Sequence, residues 1–509
     1  MSQDYYLTIG RSADLKNTGE RMLYRFFEML PGIISLGTIA LLVLLSWRAP
    51  LIASILVISF VLYWFFRTLY LMFHLWAGYR EMRLYERTDW LSRLKAEKPS
   101  WQETYHLAVV PNFEEPLEVL RQTLLGLEQN DYPKDHVLLV FGIEEAEGDE
   151  GEKKAMMLYQ EFSSKFPHFI IARHPKGIQG EMPGKGSNET WAVKEGVKQL
   201  VQPLGIEPEK VIVSSLDSDT VVGPSYFSCL TYRFLSSKDP QHTSFQPIPL
   251  FLNNIAEAPA ISRIFSFSST FWHTMNQERP EKLVTFSSHA MPLKALMDVG
   301  YKQTNVVSDD SRIFWQCFLF YNGNYHVEPL FYPVSMDANV TRSFWKTLFN
   351  IYKQQRRWAY GVADIPYFLF GFLKNKNIPL FKKVSLGWEL FEGHWTWATA
   401  PLVLFFAGWL PLLLGGEAFS QTLLSYSLPT FTGRILSVAT LGLITSAIIS
   451  INLLPRPLYQ KKWKLLFYAG QWLLFPFTMI FFSSFPALDA QIRLMLGRYL
   501  GFWHTPKFR

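Results

Sequence analysis

Long apolar blocks near both ends of the chain constrain its fold most. Residues 31–47 and 49–66 carry no charged side chain and are separated by Arg48 and Pro50. Because a membrane-spanning helix needs about 20 mostly apolar residues, these blocks predict a membrane hairpin. Basic residues follow the hairpin and predict that the chain continues on the cytosolic side. They are Arg80, Arg83, Arg87, Arg93, Lys95 and Lys98.

Three further apolar blocks lie near the C-terminus. Residues 396–415, 435–454 and 465–488 contain no Asp, Glu, Lys or Arg, and each is about long enough to span a membrane. Ion-coupled transporters usually keep ionisable groups inside the membrane, so these blocks argue against that class.

The composition agrees with a membrane-bound enzyme. Hydrophobic residues make up 49% and charged residues 18% of the chain. The net charge of +6 clusters beside the apolar blocks, which favours a lipid bilayer as partner and not nucleic acid. The two cysteines, Cys229 and Cys317, lack metal-site spacing, so we expect reduced thiols on the cytosolic side.

The region from about residue 101 to 340 has a soluble composition, with apolar runs alternating with helical patterns. Residues 107–111, 137–143 and 169–172 predict strands, and residues 117–130 and 153–166 predict helices. This alternation predicts an α/β domain with a mostly parallel, doubly wound sheet.

Two later segments have helical spacing. Residues 258–277 fit a core helix and an interfacial helix equally well. Residues 343–374 favour an interfacial helix, because an apolar stripe is followed by basic residues. The stripe comprises Trp345, Leu348, Phe349 and Tyr352.

Residues 211–219 read Val-Ile-Val-Ser-Ser-Leu-Asp-Ser-Asp and predict a buried strand that ends on two carboxylates. Ligands bind beyond the carboxyl ends of strands in open α/β sheets. Asp217 and Asp219 would therefore suit Mg²⁺ or Mn²⁺ bound together with a nucleotide diphosphate. The alternative is an ordinary turn or helix N-cap.

Two other motifs supply cationic and carboxylate groups. Pro183-Gly-Lys-Gly-Ser-Asn188 has glycines that allow close backbone approach, and its Lys185 suits a diphosphate. Ser308-Asp309-Asp310 follows two valines and adds carboxylates.

A motif at residues 354–358 completes the set. Helical spacing places Gln354, Arg357 and Trp358 on one face. An arginine can bind a phosphate through paired hydrogen bonds, and a tryptophan ring can stack on a sugar ring. This side of the helix therefore suits a sugar chain and a phosphate.

Together these motifs resemble those of membrane-integrated family 2 glycosyltransferases of the cellulose, chitin and hyaluronan synthase kind. That family carries a D, DxD, TED-like and QxxRW series on a GT-A fold followed by membrane helices. The resemblance implies an inverting, metal-dependent transfer of a sugar from a nucleotide sugar, in most members a UDP-sugar. The acceptor would be a polysaccharide at the cytosolic face of the cell membrane, with export of the polymer.

The resemblance also implies a division of the chain. We expect a cytosolic segment at residues 1–30, a membrane hairpin at 31–79 and a GT-A domain at 100–340. Interfacial helices at 341–383 would precede a membrane bundle at 384–490 and a cytosolic tail at 491–509. A cytosolic tail needs an even number of spans after the GT-A domain, whereas three apolar blocks are found there. Either residues 384–415 cross the membrane twice, or the resemblance at the extreme C-terminus is accidental.

Site roles follow from the resemblance. Asp310 would be the base that accepts the acceptor proton, and Asp217 and Asp219 would hold Mg²⁺ or Mn²⁺. The nucleotide sugar would also contact Phe113, Glu115, Glu144, Glu145, Lys185, Arg357, Thr505 and Lys507. The acceptor would contact Asp309, Gln354, Trp358 and His289, although His289 also fits an ordinary buried histidine.

Two parts of the resemblance are looser. Phe502-Trp-His-Thr-Pro-Lys507 resembles the FxVTxK loop of cellulose synthases, with His504 in place of valine. Glu144 and Glu145 stand where the family has Asp-Asp-Gly. A glutamate can still accept a hydrogen bond from a uracil N–H.

Two other functions remain open on the sequence. Glucosylceramide synthases resemble the same motif series and transfer one sugar to a membrane lipid. The chain could also be a non-catalytic membrane protein that binds a nucleotide sugar or a polysaccharide.

Overall fold

An eight-stranded sheet forms the centre of the soluble region in the computed structural model, which describes residues 5–439, 441–459, 462–501, 503 and 505. The sheet order is β3-β2-β1-β4-β7-β6-β8-β5. The strands are β1 Tyr105–Pro111, β2 Val137–Glu144, β3 Phe169–His174, β4 Val211–Ser215, β5 Val221–Val222, β6 Thr243–Leu250, β7 Ala290–Pro292 and β8 His326–Ser335.

Most strand pairing in the sheet is parallel. Strand β1 lies between β2 and β4 and is parallel to both, and β2 is parallel to β3. On the other half, β6 is parallel to β8, whereas the short strands β7 and β5 pair antiparallel with their neighbours. The β-branched and leucine-rich runs of β1, β2 and β4 are buried along almost their whole length, as expected for strands covered on both faces.

The helices fall into three groups along the chain. The N-terminal group is α1 Thr18–Arg48, α2 Pro50–Arg87 and α3 Trp90–Glu97. The second group packs on the sheet: α4 Leu117–Glu128, α5 Gly148–Phe162, α6 Lys185–Gly196, α7 Tyr226–Ser236, α8 Ala260–Gln277, α9 Leu293–Asp298 and α10 Asp309–Phe320. The third group follows the sheet: α11 Phe344–Ala359, α12 Asp364–Lys374, α13 Leu380–Leu402, α14 Leu410–Leu414, α15 Gly416–Ser420, α16 Leu423–Ala439, α17 Leu441–Leu453, α18 Lys462–Gly470, α19 Phe475–Met479 and α20 Phe485–Met495.

The sequence predicted this architecture correctly. Strands predicted at residues 107–111, 137–143 and 169–172 are β1, β2 and β3. The predicted helices at 117–130 and 153–166 are α4 and α5. An α/β domain of the GT-A type, with a mostly parallel sheet and apolar helices on both sides of it in the chain, is confirmed.

Within the part of the chain that the structure describes, four helical stretches are long and apolar enough to cross a membrane. They are Thr18–Arg48, Pro50–Arg87, Leu423–Leu453 and Trp463–Met495. The predicted span at residues 396–415 is not among them. That apolar stretch is divided between α13, a π-helical turn at Val403–Ala407 and α14.

The expectation of two crossings within residues 384–415 is wrong. Helix α13 runs unbroken for 23 residues from Leu380 to Leu402, a length of about 35 Å at 1.5 Å per residue. The residues left before 415 are too few for a second span of about 20 residues.

Helix α8 is a core helix and not an interfacial one. Its Ile264, Phe267 and Phe271 are buried in a cluster shared with β6 and α2. Helix α2 approaches it closely at Gly78, where an added Cβ would lie 2.5 Å from the carbonyl oxygen of Thr274. This close approach fixes helix α2 against the α/β domain.

The predicted interfacial stretch at 343–374 forms two helices. Helices α11 and α12 are joined by a 3₁₀ turn at Tyr360–Ala363. On α11, Trp345 and Phe349 are exposed by 75% and 58%, whereas Ile351 is fully buried. The helix therefore offers one apolar face to its surroundings and packs the other on the domain.

Candidate active site

The site lies where the direction of strand order changes. From β1 the chain continues to β2 and β3 on one side, and it returns to β4 on the other side of β1. Crevices form at such switch points beyond the carboxyl ends of the strands. Asp217 and Asp219 follow β4 directly and therefore open into this crevice.

A cavity of about 1360 Å³ occupies the crevice. It brings together most of the residues that the motifs predicted. Its wall includes Phe113, Glu115, Glu144, Lys185, Asp217, Asp219, Asp309, Asp310, Gln354, Arg357, Trp358 and Thr505. Glu145 and His289 are not part of the wall, and Lys507 lies outside the described residues.

Lys185 links the two carboxylate motifs. Its Nζ lies 2.6 Å from Asp217 Oδ1 and 2.9 Å from Asp310 Oδ2. Burial lowers the pKa of the Lys185 ammonium, but Asp217 and Asp310 outweigh burial and raise this pKa well above its usual value. Helix α6 can bring Lys185 this close because Gly186 meets Asp309, where an added Cβ would lie 2.8 Å from Asp309 Cβ.

A second lysine, Lys302, lies within a cluster of three carboxylates. Glu189, Asp309 and Asp310 place one oxygen each within 4.8 Å of one another. The Nζ of Lys302 lies 2.8 Å from Glu189 Oε1 and 3.0 Å from Asp310 Oδ1. Burial raises the pKa of Asp310, but Lys185 and Lys302 outweigh it and hold this pKa well below its usual range. This cluster thus already contains its cation.

Asp219 is fixed by the surrounding backbone. It is 2% exposed, and its Oδ2 accepts a hydrogen bond of 3.1 Å from the backbone N–H of Asp337. Between the two aspartates, Ser218 donates to Glu115 Oε1 at 2.7 Å, while the N–H of Phe113 donates to Glu115 Oε2 at 2.6 Å. Through these two hydrogen bonds, Glu115 links the segment after β1 to the segment after β4 that carries the two aspartates.

Glu144 at the end of β2 has a histidine partner. His174 Nδ1 lies 2.8 Å from Glu144 Oε2, and His174 Nε2 lies 3.0 Å from Glu181 Oε2. Burial lowers the pKa of His174, but the two carboxylates outweigh burial and raise it. The Oε1 atom of Glu144 is buried and has no hydrogen-bond partner among the described residues. The neighbouring Glu145 accepts from the backbone N–H of Lys176 at 2.9 Å.

The motif on α11 lines the cavity as its spacing predicted. Gln354 Oε1 accepts a hydrogen bond of 3.2 Å from Asn339. The Trp358 ring packs near Phe265, with 5.6 Å between the ring centroids. Burial lowers the pKa of Arg357, although the carboxylates, Asp217 first, favour its charged form.

His289 lies behind the wall. Its Nδ1 donates to the carbonyl oxygen of Phe286 at 2.7 Å and is 3.8 Å from Asp310 Oδ1. Burial lowers the pKa of His289 to about 4. It is therefore a neutral buried histidine beside Asp310.

The cavity extends from the carboxylates to the apolar helices. A half-buried ion pair between Arg67 of α2 and Glu392 of α13 lies along it. Beyond this pair the wall is largely apolar and includes Leu404, Phe405, Leu436, Leu443 and Met479. One continuous space thus joins the charged site to the candidate membrane spans.

Sequence reasoning missed Lys302, Glu189 and His174. None of them lies inside a motif, and their contacts include pairs that are distant in the chain, as with Glu144 and His174, which are 30 residues apart. A single sequence carries no signal for such contacts.

Comparison with known proteins assigns the class. The profile of glycosyl transferase family group 2 matches residues 212–483. A comparison with curated protein sequences found no match.

Two solved structures are similar to the chain. The mannosyltransferase PcManGT from Pyrobaculum calidifontis, in complex with GDP-Man and Mn²⁺, is 13% identical. The match covers 84% of this chain and 99% of that chain, with a TM-score of 0.40. The TarS protein of S. aureus in complex with UDP-GlcNAc is 13% identical over 73% of this chain and 91% of that chain, with a TM-score of 0.36.

The fold and the profile define the protein as a glycosyltransferase with a GT-A-type domain. The profile covers more than half of the 509 residues. The chain belongs to glycosyl transferase family group 2, whose members use nucleotide sugars.

Proposed function

We propose that the protein transfers a sugar from a UDP-sugar to a growing polysaccharide that lies on the membrane side of the site. One observation carries this proposal. A single cavity unites Lys185, Asp217 and Asp310 with the space between the candidate membrane spans. Donor chemistry at one end and a membrane-side path at the other match a synthase of the cellulose synthase kind.

The end of β2 supports uridine as the base. The Oε2 atom of Glu144 contacts His174, and its Oε1 atom, which has no partner among the described residues, is available to a ligand. Uracil presents one imide N–H beside its carbonyl oxygens, which one acceptor atom satisfies. Guanine presents two adjacent N–H donors and would need both carboxylate oxygens. Phe113 lines the same part of the cavity and supplies a ring for stacking.

The residues after β4 fit a divalent cation. Asp217 and Asp219 offer carboxylate oxygens, which Mg²⁺ and Mn²⁺ prefer, and both line the cavity. The ammonium of Lys185 beside Asp217 shows that this position favours positive charge. A bound Mg²⁺ or Mn²⁺ would supply charge that stabilises the leaving diphosphate.

Asp310 would be the general base of a single displacement. The acceptor oxygen forms a bond to the anomeric carbon, and its proton passes to Asp310. The bond between that carbon and the diphosphate oxygen breaks, and UDP leaves with the electron pair. Lys185 and Arg357 would stabilise the diphosphate charge, so that Lys185 exchanges Asp310 for phosphate when the donor binds.

The α11 motif would hold the acceptor. Trp358 offers a ring to a sugar face, and Gln354 and Asp309 offer polar atoms beside it. Thr505 lines the cavity, which agrees with a tail that reaches the nucleotide. The basic residues at the end of α2 and shortly after it support a cytosolic domain on a cell-membrane protein.

A second candidate acceptor is a membrane lipid. The apolar wall beyond Arg67 and Glu392 favours it, because acyl chains match such a lining better than a hydrated glycan does. The enzyme would then transfer one sugar to a lipid hydroxyl.

Product analysis tests the proposal. The purified protein in nanodiscs would receive UDP-Glc, UDP-GlcNAc, UDP-GlcA or UDP-Gal with Mn²⁺, with GDP-Man as the contrasting donor. We expect UDP release with one UDP-sugar and a polymeric product. A glycolipid with one sugar would select the second candidate. Binding of UDP without release of UDP from any donor would mean a non-catalytic protein.

A further inference from the structure

Lys302 is a buried cation that belongs to none of the motifs. It lies on the loop between α9 and α10, and its side chain is 2% exposed. The loop is held in place at several points. Thr190 donates to the carbonyl oxygen of Lys302 at 3.2 Å, and Met182 N–H donates to that of Thr304 at 2.7 Å. The position of this ammonium is therefore built into the fold.

The carboxylate of Asp310 is held at both oxygens. Lys185 lies 2.9 Å from Oδ2, and Lys302 lies 3.0 Å from Oδ1. A carboxylate held at both oxygens by ammonium groups is a weak proton acceptor. One of the two lysines must therefore release it before transfer.

The two lysines differ in how readily they can release the carboxylate of Asp310. Lys185 lines the cavity, where a diphosphate can attract it. Lys302 lies beneath the wall and is anchored 2.8 Å from Glu189, which in turn accepts a hydrogen bond from Ser215. Donor binding can thus free Oδ2, while Oδ1 remains held.

We propose that Lys302 is a positioning residue for the transfer, which holds Oδ1 of Asp310 so that Oδ2 faces the acceptor hydroxyl. This inference rests on the proposed role of Asp310 as the base. The start of α10 agrees with it, because the carbonyl oxygen of Asp310 also accepts a hydrogen bond of 2.6 Å from Thr285. Backbone and side chain of Asp310 are then both fixed, and only Oδ2 is exchangeable.

The charges around Asp310 predict a pH signature. The charged and titratable side chains near Asp310 are Lys185, Glu189, His289, Lys302, Asp309 and Arg357. Loss of the Lys302 charge would leave Asp310 beside two other carboxylates with Lys185 as its contacting ammonium. Its protonation would become easier, so the acidic limb of the activity profile would move to higher pH.

The test compares Lys302→Met and Lys302→Arg with Lys294→Met. Lys294 lies eight residues earlier on α9 and pairs with Asp298 at the surface. We expect K302M to lower kcat by about 100-fold with the KM for the UDP-sugar nearly unchanged. Its acidic limb should move up by about one pH unit. K302R should recover much of kcat, and K294M should match the wild type.

Two further variants keep the outcomes distinct. Lys302→Gln removes the same charge but keeps a polar side chain beside Glu189, and it should shift the acidic limb in the same direction, so it serves as the test if K302M does not fold. Wild-type kcat and acidic limb in K302M, or in K302Q when K302M does not fold, would overturn the inference. Turnover by D310N would instead overturn the proposed base, which separates the two failures.

Discussion

Strands β4 and β2 both lead into carboxylates at the same edge of the sheet, yet the two ends differ in their partners. Beyond β4, Asp217 contacts the ammonium of Lys185, which also holds Asp310. At β2, Glu144 contacts a histidine and keeps one oxygen without a partner among the described residues.

This difference shows that the side chain in contact with a carboxylate determines which ligand or reaction the carboxylate can serve. Next to lysines, which stay charged at neutral pH, a carboxylate remains anionic. Such a carboxylate can exchange its ammonium for a metal ion, and the released ammonium can bind a phosphate. Next to a histidine that holds one oxygen, a carboxylate becomes a fixed single acceptor for a base. Under the proposed function, the first arrangement would serve reaction chemistry and the second would serve recognition of the base.

The largest effect should come from Asp310→Asn. The amide cannot accept the acceptor proton, so turnover should fall by about 10³-fold or more, while binding of UDP stays within about twofold. Rates of UDP release and UDP titrations on the same preparation measure both. Asp298→Asn, at the surface end of α9, is the matched control and should be fully active. Turnover near the wild-type level in D310N would remove Asp310 from its role.

The second-largest effect on activity should come from Asp217→Asn. Loss of one carboxylate should weaken activation by Mn²⁺ by about 10- to 100-fold, because an amide oxygen carries no net charge. A titration of activity with Mn²⁺ measures this. High Mn²⁺ should restore part of the rate in D217N and none in D310N. An unchanged Mn²⁺ dependence would place the metal elsewhere.

A moderate effect should come from Glu144→Gln. Loss of the charged acceptor should weaken UDP binding about tenfold and reduce the preference for UDP over GDP. Glu145→Gln makes the same change one residue further on, where the side chain binds the backbone of Lys176 outside the cavity. Calorimetry with both nucleotides would show E145Q within about twofold of the wild type. Equal losses in E144Q and E145Q would contradict the assignment.

The smallest effect concerns pH and stability. The folded-state pKa of His174 is raised above its unfolded value, so its stabilising contribution is complete below about pH 6.5. It is lost as pH rises through the higher folded-state pKa. The thermal midpoint in detergent should fall over that interval in the wild type, and His174→Gln should flatten this slope. An identical slope in both proteins would mean that His174 does not titrate in this way.

The sequence predicted the parts of this account that rest on local pattern. Apolar runs gave β1, β2 and β3, and helical spacing placed Gln354, Arg357 and Trp358 on one wall of the cavity. The motif residues after β4 and at the start of α10 also line that cavity, as their order in the chain indicated.

The rest depends on contacts between distant residues. Glu189 and Lys302 lie on different elements, and only the packing of α6 against the loop before α10 pairs them. His289 has the composition of a site residue, but the fold turns its ring to Phe286 and away from the wall. Apolar composition also does not reveal that residues 396–415 are divided between α13, a π-helical turn and α14.

The most direct test of the central claim is a structure of the protein in nanodiscs with UDP and Mn²⁺. We predict uracil against Glu144, the metal between the diphosphate and the carboxylates of Asp217 and Asp219, and Lys185 moved from Asp310 to the phosphate. Nucleotide bound away from Glu144, or Lys185 still on Asp310 with the donor site filled, would contradict the account.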